Sequence, residues 1–381
     1  MRRLIFWAGI VLVICFEFAH VWFIMPLPGS QRLRSLDVAY ALHGARWVVR
    51  LFALALVVYG APAAWQLRGW RRWMPPIGVI VAAVVAYMTN VQMAADQIFR
   101  QPTRVVMQPV AGNTVAQDRL VVGVVVNGQA RAYPLQYIGY HHQVRDTIGG
   151  EPVLVSYCTV CRTGRVFSPL VDGRPETFRL VGMDQFNAMF EDATTKSWWR
   201  QANGEAVTGP RRGVRLRELP SVQVTLAQWL AIHPDARIMQ GDTTFAEEYA
   251  KDYAFERGTS RKTLTGTDTV SWGEKAWVVG ITARGASVAF DWNRLKRERV
   301  INAMVGTTPV VLALRDDTAS FFAFERPDTA TRFAWRGDSL VSAQGAYGLD
   351  GRGATGVLTP INASQEFWHS WRTFQPGTGR Y

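Results

Sequence analysis

Acidic residues are scarce at one end of this chain. Residues 1–104 hold three Asp and Glu against 11 Arg and Lys, whereas residues 105–381 hold 27 against 31. The overall charge of +12 is therefore mostly a property of the first 104 residues, and the nearly balanced remainder excludes a nucleic-acid binder. Cysteine is scarce as well: there are three in 381 residues, and only Cys158 and Cys161 stand close together, too few for a disulfide-stapled scaffold. Ser156 and Ser168 lack the glycine setting of a nucleophile elbow, so a serine hydrolase has no support. The apolar share of 48% excludes a disordered chain.

What the first 104 residues do have is long apolar runs, at 4–24, 48–64 and 77–93. The first is about as long as the ~20 residues a helix needs to cross a bilayer. Arg2 and Arg3 precede it, but Met25-Pro26-Leu27-Pro28-Gly29 follows in place of a small-residue cleavage site, which predicts an uncleaved anchor. Trp47, Trp65, Trp70 and Trp73 cluster at the ends of the other two runs, where indoles favour the membrane interface. The basic loop Arg68, Arg71 and Arg72, with Arg2 and Arg3, predicts a cytoplasmic N-terminus and residues 105–381 outside the cytoplasm after three crossings. Within the first run Glu17 and His20 lie on one helix face, where an ionisable group is costly and points to function or to a polar contact between helices. Cys15 beside them is expected to be an inert core thiol.

From residue 120 the pattern changes to alternation. LVVGVVV, Asn127-Gly128 and QARAYPL read as a hairpin, because both turn positions tolerate positive φ. A short helical turn and Gly149-Gly150 lead into the strand VLVSY, a cysteine loop and the strand RVFSP. Much of this returns later: LVVGV matches WVVGI at 277–281, IGGEPVLV matches VGTTPVVL at 305–312, and Phe167 matches Phe324, all at an offset of 157. WLAIHPDAR likewise corresponds loosely to the C-terminal FWHSWRTFQPGTG. The expected fold class is α+β: N-terminal transmembrane helices followed by a β-rich soluble domain of two repeated lobes. The expected divisions are an anchor over 1–104, a first lobe over 105–240, a connection over 241–275 and a degenerate second lobe over 276–381.

Cys158 and Cys161 form C-x-x-C on a loop between two strands, whereas the repeat has Arg315 and Thr318 there. A frame that folds without the cysteines weighs against a purely structural role for them. Two thiols at this spacing can close a small disulfide or chelate a soft metal. In a thiol-redox reading Cys158 attacks and Cys161 resolves, with His141, His142, Arg162 and Arg165 as cations that would favour the thiolate. In a metal reading Cys158 and Cys161 join His141 and His142 around zinc or copper, although adjacent residues of an extended segment point to opposite faces. A structural disulfide is the third reading. The substrate and the cofactor are not legible, and the partners expected are the lipid bilayer and a thiol redox partner. Asp192, Thr195, Ser197, Trp198 and Trp199 read as a capped turn with core tryptophans, or as the lining of a site.

Tyr133-Pro134-Leu135, His141, Val144, Asp146, Gly149-Gly150, Pro152-Val153, Tyr157-Cys158 and Cys161 together resemble a bacterial family, domain-of-unknown-function family 3179. Asp192, Thr195, Ser197 and Trp199 fit that family's D-x-x-T-x-S-x-W pattern, so the resemblance spans most of residues 118–240. Some members are described as selenoproteins with selenocysteine at a position of this cysteine pair, which implies redox chemistry. Tyr140, His142 and Arg145 depart from the common form W-H-E-I-V-N-D and mark a membrane-anchored subgroup. With the orientation read from the basic loop, the expected location is the bacterial inner membrane, with the soluble domain in the periplasm or otherwise outside the cytoplasm.

Overall fold

The structure, a computed structural model, describes residues 1–33 and 35–381. In chain order the helices α1 (Arg2–Trp22), α2 (Leu36–Ala64), α3 (Met74–Tyr87) and the short α4 (Ala95–Ile98) come first. The first set of strands follows: β1 (Val106–Gln108), β2 (Leu120–Val126), β3 (Gln129–Pro134), helix α5 (Leu135–His141), β4 (Gln143–Ile148), β5 (Glu151–Cys158) and β6 (Thr163–Phe167). A small hairpin, β7 (Leu170–Val171) with β8 (Arg174–Pro175), leads to β9 (Phe178–Asp184), β10 (Asn187–Asp192), β11 (Trp198–Arg200) and β12 (Ala206–Thr208). Then come β13 (Ser221–Thr225), α6 (Leu226–Ile232) and β14 (Arg237–Gln240). The last part runs β15 (Trp277–Ala283), β16 (Ala286–Asp291), α7 (Trp292–Glu298), β17 (Val300–Val305), β18 (Thr308–Leu314), β19 (Phe321–Glu325), a small five-stranded sheet over 334–357, β20 (Ala363–Phe367), α8 (Trp368–Phe374) and β21 (Gly379–Arg380).

The chain divides into two compact units. One comprises residues 1–100, 178–200 and 206–214, and so joins the helices to the sheet β12-β11-β10-β9. Three helical spans in it, Arg2–Trp22, Leu36–Ala64 and Gly69–Gln92, are long and apolar enough to cross a membrane. The second begins 12 residues before the apolar run read from the sequence, because Asp37, His43 and Arg46 interrupt the hydropathy without interrupting the helix. At ~1.5 Å per residue its 29 residues exceed the ~30 Å hydrocarbon thickness, so part of it extends beyond the apolar layer. Helices α1 and α2 approach closely through glycine: a Cβ on Gly60 would meet the Phe6 backbone nitrogen at 2.6 Å, the use of small residues that membrane helix pairs favour. Cys15 corrects the expectation of a core thiol, since it lies exposed on α1; an apolar helix in lipid can turn such a side chain outward without cost. The sheet of this unit buries Val181, Met189, Trp198 and Val207 against Ile24 and Ala39.

The other unit contains both copies of the repeat. Elements β2 to β5 recur as β15 to β18 at an offset of 157 (120 to 277, 151 to 308), and β13-α6-β14 recur as β20-α8-β21 at 142 (221 to 363). The pairings recur too. β2 lies between β3 and β13, with β14 parallel to β3; β15 lies between β16 and β20, with β21 parallel to β16. Both hairpins are tight, and Asn127 and Gly128 take the positive φ values of 49° and 78° that their sequence predicts. The lobes share one core, in which Val155, Tyr157 and Val166 pack with Val311, Ala313 and Phe322. They also exchange positions: β20 lies beside β6 and β13 beside β19, so the late strand of each lobe lies against a strand of the other, β6 after the cysteine loop and β19 after its counterpart.

Candidate functional site

Strand β5 is the centre of the sheet β4-β5-β6 and is buried from Val153 onward, which carries Cys158 into the interior. Cys158 pairs across the turn with Thr163, and Arg162 closes that turn at a φ of 55°. Both cysteines are fully buried and present as thiols. The roof over them comes from the second lobe. The Phe367 amide donates to the Cys161 carbonyl at 2.9 Å, and a His369 ring nitrogen donates to the Val160 carbonyl at 3.2 Å. The Thr163 hydroxyl reaches the Cys161 carbonyl at 3.3 Å and the Ser370 hydroxyl at 3.4 Å.

A buried carboxylate completes the chamber. Glu366, 2% exposed, pairs with buried Arg165 and accepts from the hydroxyls of Ser364 and Ser370, each at 2.9 Å. Burial, the hydrogen bond shared with Cys158 and the nearby Glu366 carboxylate all push the Cys161 thiol well up, while the Ser370 hydroxyl pulls it down. Cys161 is thus held as a neutral thiol against a polar relay of Ser370 and Glu366. Neither of these two residues was anticipated from the sequence. The available signal was the repeat: Glu366 stands 142 residues after Val224, a charge where the other copy keeps an apolar core residue.

The other expected site residues go elsewhere. His141 is fully buried, bonded to the Tyr249 hydroxyl at 2.8 Å and ringed by Tyr140 and Phe245. His142, at the end of α5 with a φ of 58°, donates from Nδ1 to the Tyr157 carbonyl at 2.8 Å. Burial lowers its pKa to about 4. Among the described residues no group of three or more His, Cys, Asp or Glu comes together to hold a metal ion, so Cys158, Cys161, His141 and His142 are not assembled as the zinc or copper shell expected above. The physical reason is that His141 ends helix α5 and His142 caps it in the left-handed region, so that the two rings go to different partners, the Tyr249 hydroxyl and the Tyr157 carbonyl.

Arg162 is anchored by other groups as well. Its guanidinium donates to Gln365 Oε1 at 2.9 Å and to the carbonyls of Phe255 and Glu256 at 2.8 and 3.0 Å, and it stacks on Trp277 at 3.8 Å. It forms part of the wall of a cavity of about 450 Å³ in which Glu256, Trp292 and Asp317 also take part. The D-x-x-T-x-S-x-W residues form a capped turn in the helix-bearing unit. Asp192 accepts from the Thr195 hydroxyl and the Trp199 indole, both at 2.8 Å, and Thr195 reaches Ser197 at 2.7 Å. Trp198 and Trp199 are fully buried.

Comparison with known proteins gives one match: the model of a family described as "Protein of unknown function (DUF3179)" covers residues 101–378. No curated protein and no solved structure matches the chain.

Proposed function

The chain belongs to the family of proteins of unknown function DUF3179, and we propose that it is a membrane-anchored thiol–disulfide redox protein whose working pair is Cys158 and Cys161. The observation that carries this reading is a pair of fully buried thiols three residues apart, roofed by a buried Ser370–Glu366 pair that belongs to the other lobe. A thiol pair kept only for packing needs no buried carboxylate beside it. In the exchange, the Cys158 thiolate attacks a partner's disulfide, forms a mixed disulfide and releases one partner thiolate. Cys161 then gives up its proton, attacks the Cys158 sulfur and releases the second partner thiol. The pair ends as a disulfide, the partner's disulfide ends as two thiols, and the protons of the pair finish on the partner.

The raised pKa of Cys161 suits the resolving role, since such a thiol stays silent until Ser370 and Glu366 take its proton. Because both thiols are buried, the exchange requires the contacts of Phe367 with Cys161 and of His369 with Val160 to part. The basic loop at Arg68–Arg72 supports an orientation that delivers this unit to an oxidising, non-cytoplasmic compartment.

The test uses the full chain in detergent micelles. Thiols are counted by alkylation before and after oxidised glutathione, and the bond is mapped by mass spectrometry. The reading expects reversible loss of two thiols as a 158–161 disulfide, abolished by Cys158→Ser without loss of the fold. A tightly held stoichiometric zinc or copper ion, with no disulfide formed, would replace it with the metal-binding reading. A pair that stays unreactive until the protein unfolds would leave only a structural role.

A further inference from the structure

The helix-bearing unit contains a second polar centre that the redox reading does not use. A cavity of about 840 Å³ opens where α1 ends, α2 begins and the third membrane helix ends. Its floor is made of two sets of bonded polar groups, buried or half-buried. Glu17 accepts from Arg50 Nε at 2.6 Å and from Asn90 at 2.8 Å. His20 Nε2 meets His43 Nδ1 at 3.0 Å, and His43 Nε2 meets Glu191 at 3.2 Å. Arg179 binds Glu191 at 2.8 Å and Asp96 at 3.1 Å.

Charge accounting around this cavity leaves a remainder. Glu17 is paired with Arg50, while Glu191 and Asp96 share the single guanidinium of Arg179. Two further cations, Arg46 and Lys196, take part in the cavity wall, and among the described residues neither makes an ion pair. Arg46 donates only to the His43 carbonyl, and Lys196 stands exposed at a left-handed φ of 60° on the turn capped by Asp192. The Nδ1 atom of His20 is buried without a hydrogen-bond partner, a state that calls for a ligand or water. Trp47, 61% exposed on the outer face of α2, continues the wall to the surface that lipid would touch.

We propose that this cavity binds the phosphate group of an anionic amphiphile, with Arg46 and Lys196 as the charged contacts and His20 as a hydrogen-bonding contact. The position is that of a bilayer's phosphate layer, at the polar end of three membrane helices, and the volume exceeds what a small inorganic ion fills. Phosphate fits the donor set better than a cation does, because the four cations Arg46, Arg50, Arg179 and Lys196 outnumber the three carboxylates Glu17, Glu191 and Asp96, and Arg46 and Lys196 stand outside the ion pairs. The capped turn of Asp192, Thr195, Ser197 and Trp199 thereby acquires a role: it fixes Lys196 at the rim and Glu191 below it.

The experiment titrates the full chain in detergent micelles with dioctanoyl-phosphatidylglycerol, with dioctanoyl-phosphatidylcholine and with inorganic phosphate, counting bound molecules by native mass spectrometry. Phosphatidylglycerol should bind in preference to phosphatidylcholine. Arg46→Gln combined with Lys196→Gln should weaken it about tenfold or more, given ~1 kcal/mol for each basic residue near an anionic lipid surface. Lys196→Gln alone lies at an exposed position, does not threaten the fold and must already weaken binding; Arg46→Lys should retain it. Arg71→Gln with Arg72→Gln, at the opposite end of the helices, should change nothing. Displacement of phosphatidylglycerol by equimolar inorganic phosphate would support the phosphate site and reject the lipid as its source. Equal binding of both lipids, or unchanged binding in the double variant, would overturn the proposal.

Discussion

Trp371 packs against Gly280 so closely that a Cβ at position 280 would lie 2.1 Å from two of its ring carbons. Trp229 stands in the same relation to Gly123, and the two pairs are related by the offsets of the repeat, 157 for the glycines and 142 for the tryptophans. Each contact locks the helix that follows the late strand onto the hairpin that opens the lobe. Gly123→Ala and Gly280→Ala should therefore each destabilise the protein by ~1–3 kcal/mol through overpacking. Gly44→Ala, a helical glycine with nothing within 4 Å of the added Cβ, should be neutral or stabilising. Thermal unfolding of the three variants in micelles checks the contrast.

Acid should weaken the fold through His142. Its folded pKa of about 4 lies below the ordinary 6.5 because burial disfavours the imidazolium. The neutral ring is the one the fold keeps, so this contribution is complete above pH 6.5 and is lost as pH falls toward 4. The loss is on the order of 3 kcal/mol over that window. His369, also lowered by burial, acts in the same sense. The difference between the parent and His142→Asn isolates the one residue, since asparagine accepts a left-handed φ and does not titrate. The stability of His142→Asn should vary less between pH 7 and pH 4.

Glu17 and Arg50 form an ion pair between two of the long apolar helices, with Glu17 fully buried. Arg50→Met should destabilise by ~3–5 kcal/mol, because it leaves a carboxylate buried without its counter-charge. Glu17→Met combined with Arg50→Met removes both charges and should be more stable than Arg50→Met alone. Melting midpoints in one detergent measure both.

Much of this architecture was legible in the sequence because it rests on local chemistry. The Asn127-Gly128 hairpin, the three long apolar helices and the recurrence at 157 follow from turn residues, apolar length and periodicity. The site was legible only by half. Cys158 and Cys161 were visible as a motif, but Glu366 and Ser370 lie more than 200 residues away and reach the pair through a lobe-to-lobe exchange that no spacing encodes. His141 and His142 misled for a related reason. Proximity in sequence suggested shared ligation, while Tyr249 and the Tyr157 carbonyl had already claimed them.

Glu366 and Ser370 bear on Cys161 in opposite senses, which gives a discriminating experiment. The carboxylate pushes the thiol's pKa up and the hydroxyl pulls it down. Glu366→Gln should therefore lower the Cys161 pKa and speed its alkylation at a fixed pH, whereas Ser370→Ala should raise the pKa and slow it. Both variants keep the Phe367 backbone and His369 ring contacts that form the roof, and Glu366→Gln also leaves Arg165 without its buried partner, at a cost of ~3 kcal/mol or more. If opening of the roof alone governed reactivity, any loosening of this region would speed alkylation and both variants would react faster. Rates measured from pH 6 to 9 on the full chain decide between them: opposite shifts of the profile place the control in the charge beside the thiol, and parallel increases place it in the roof.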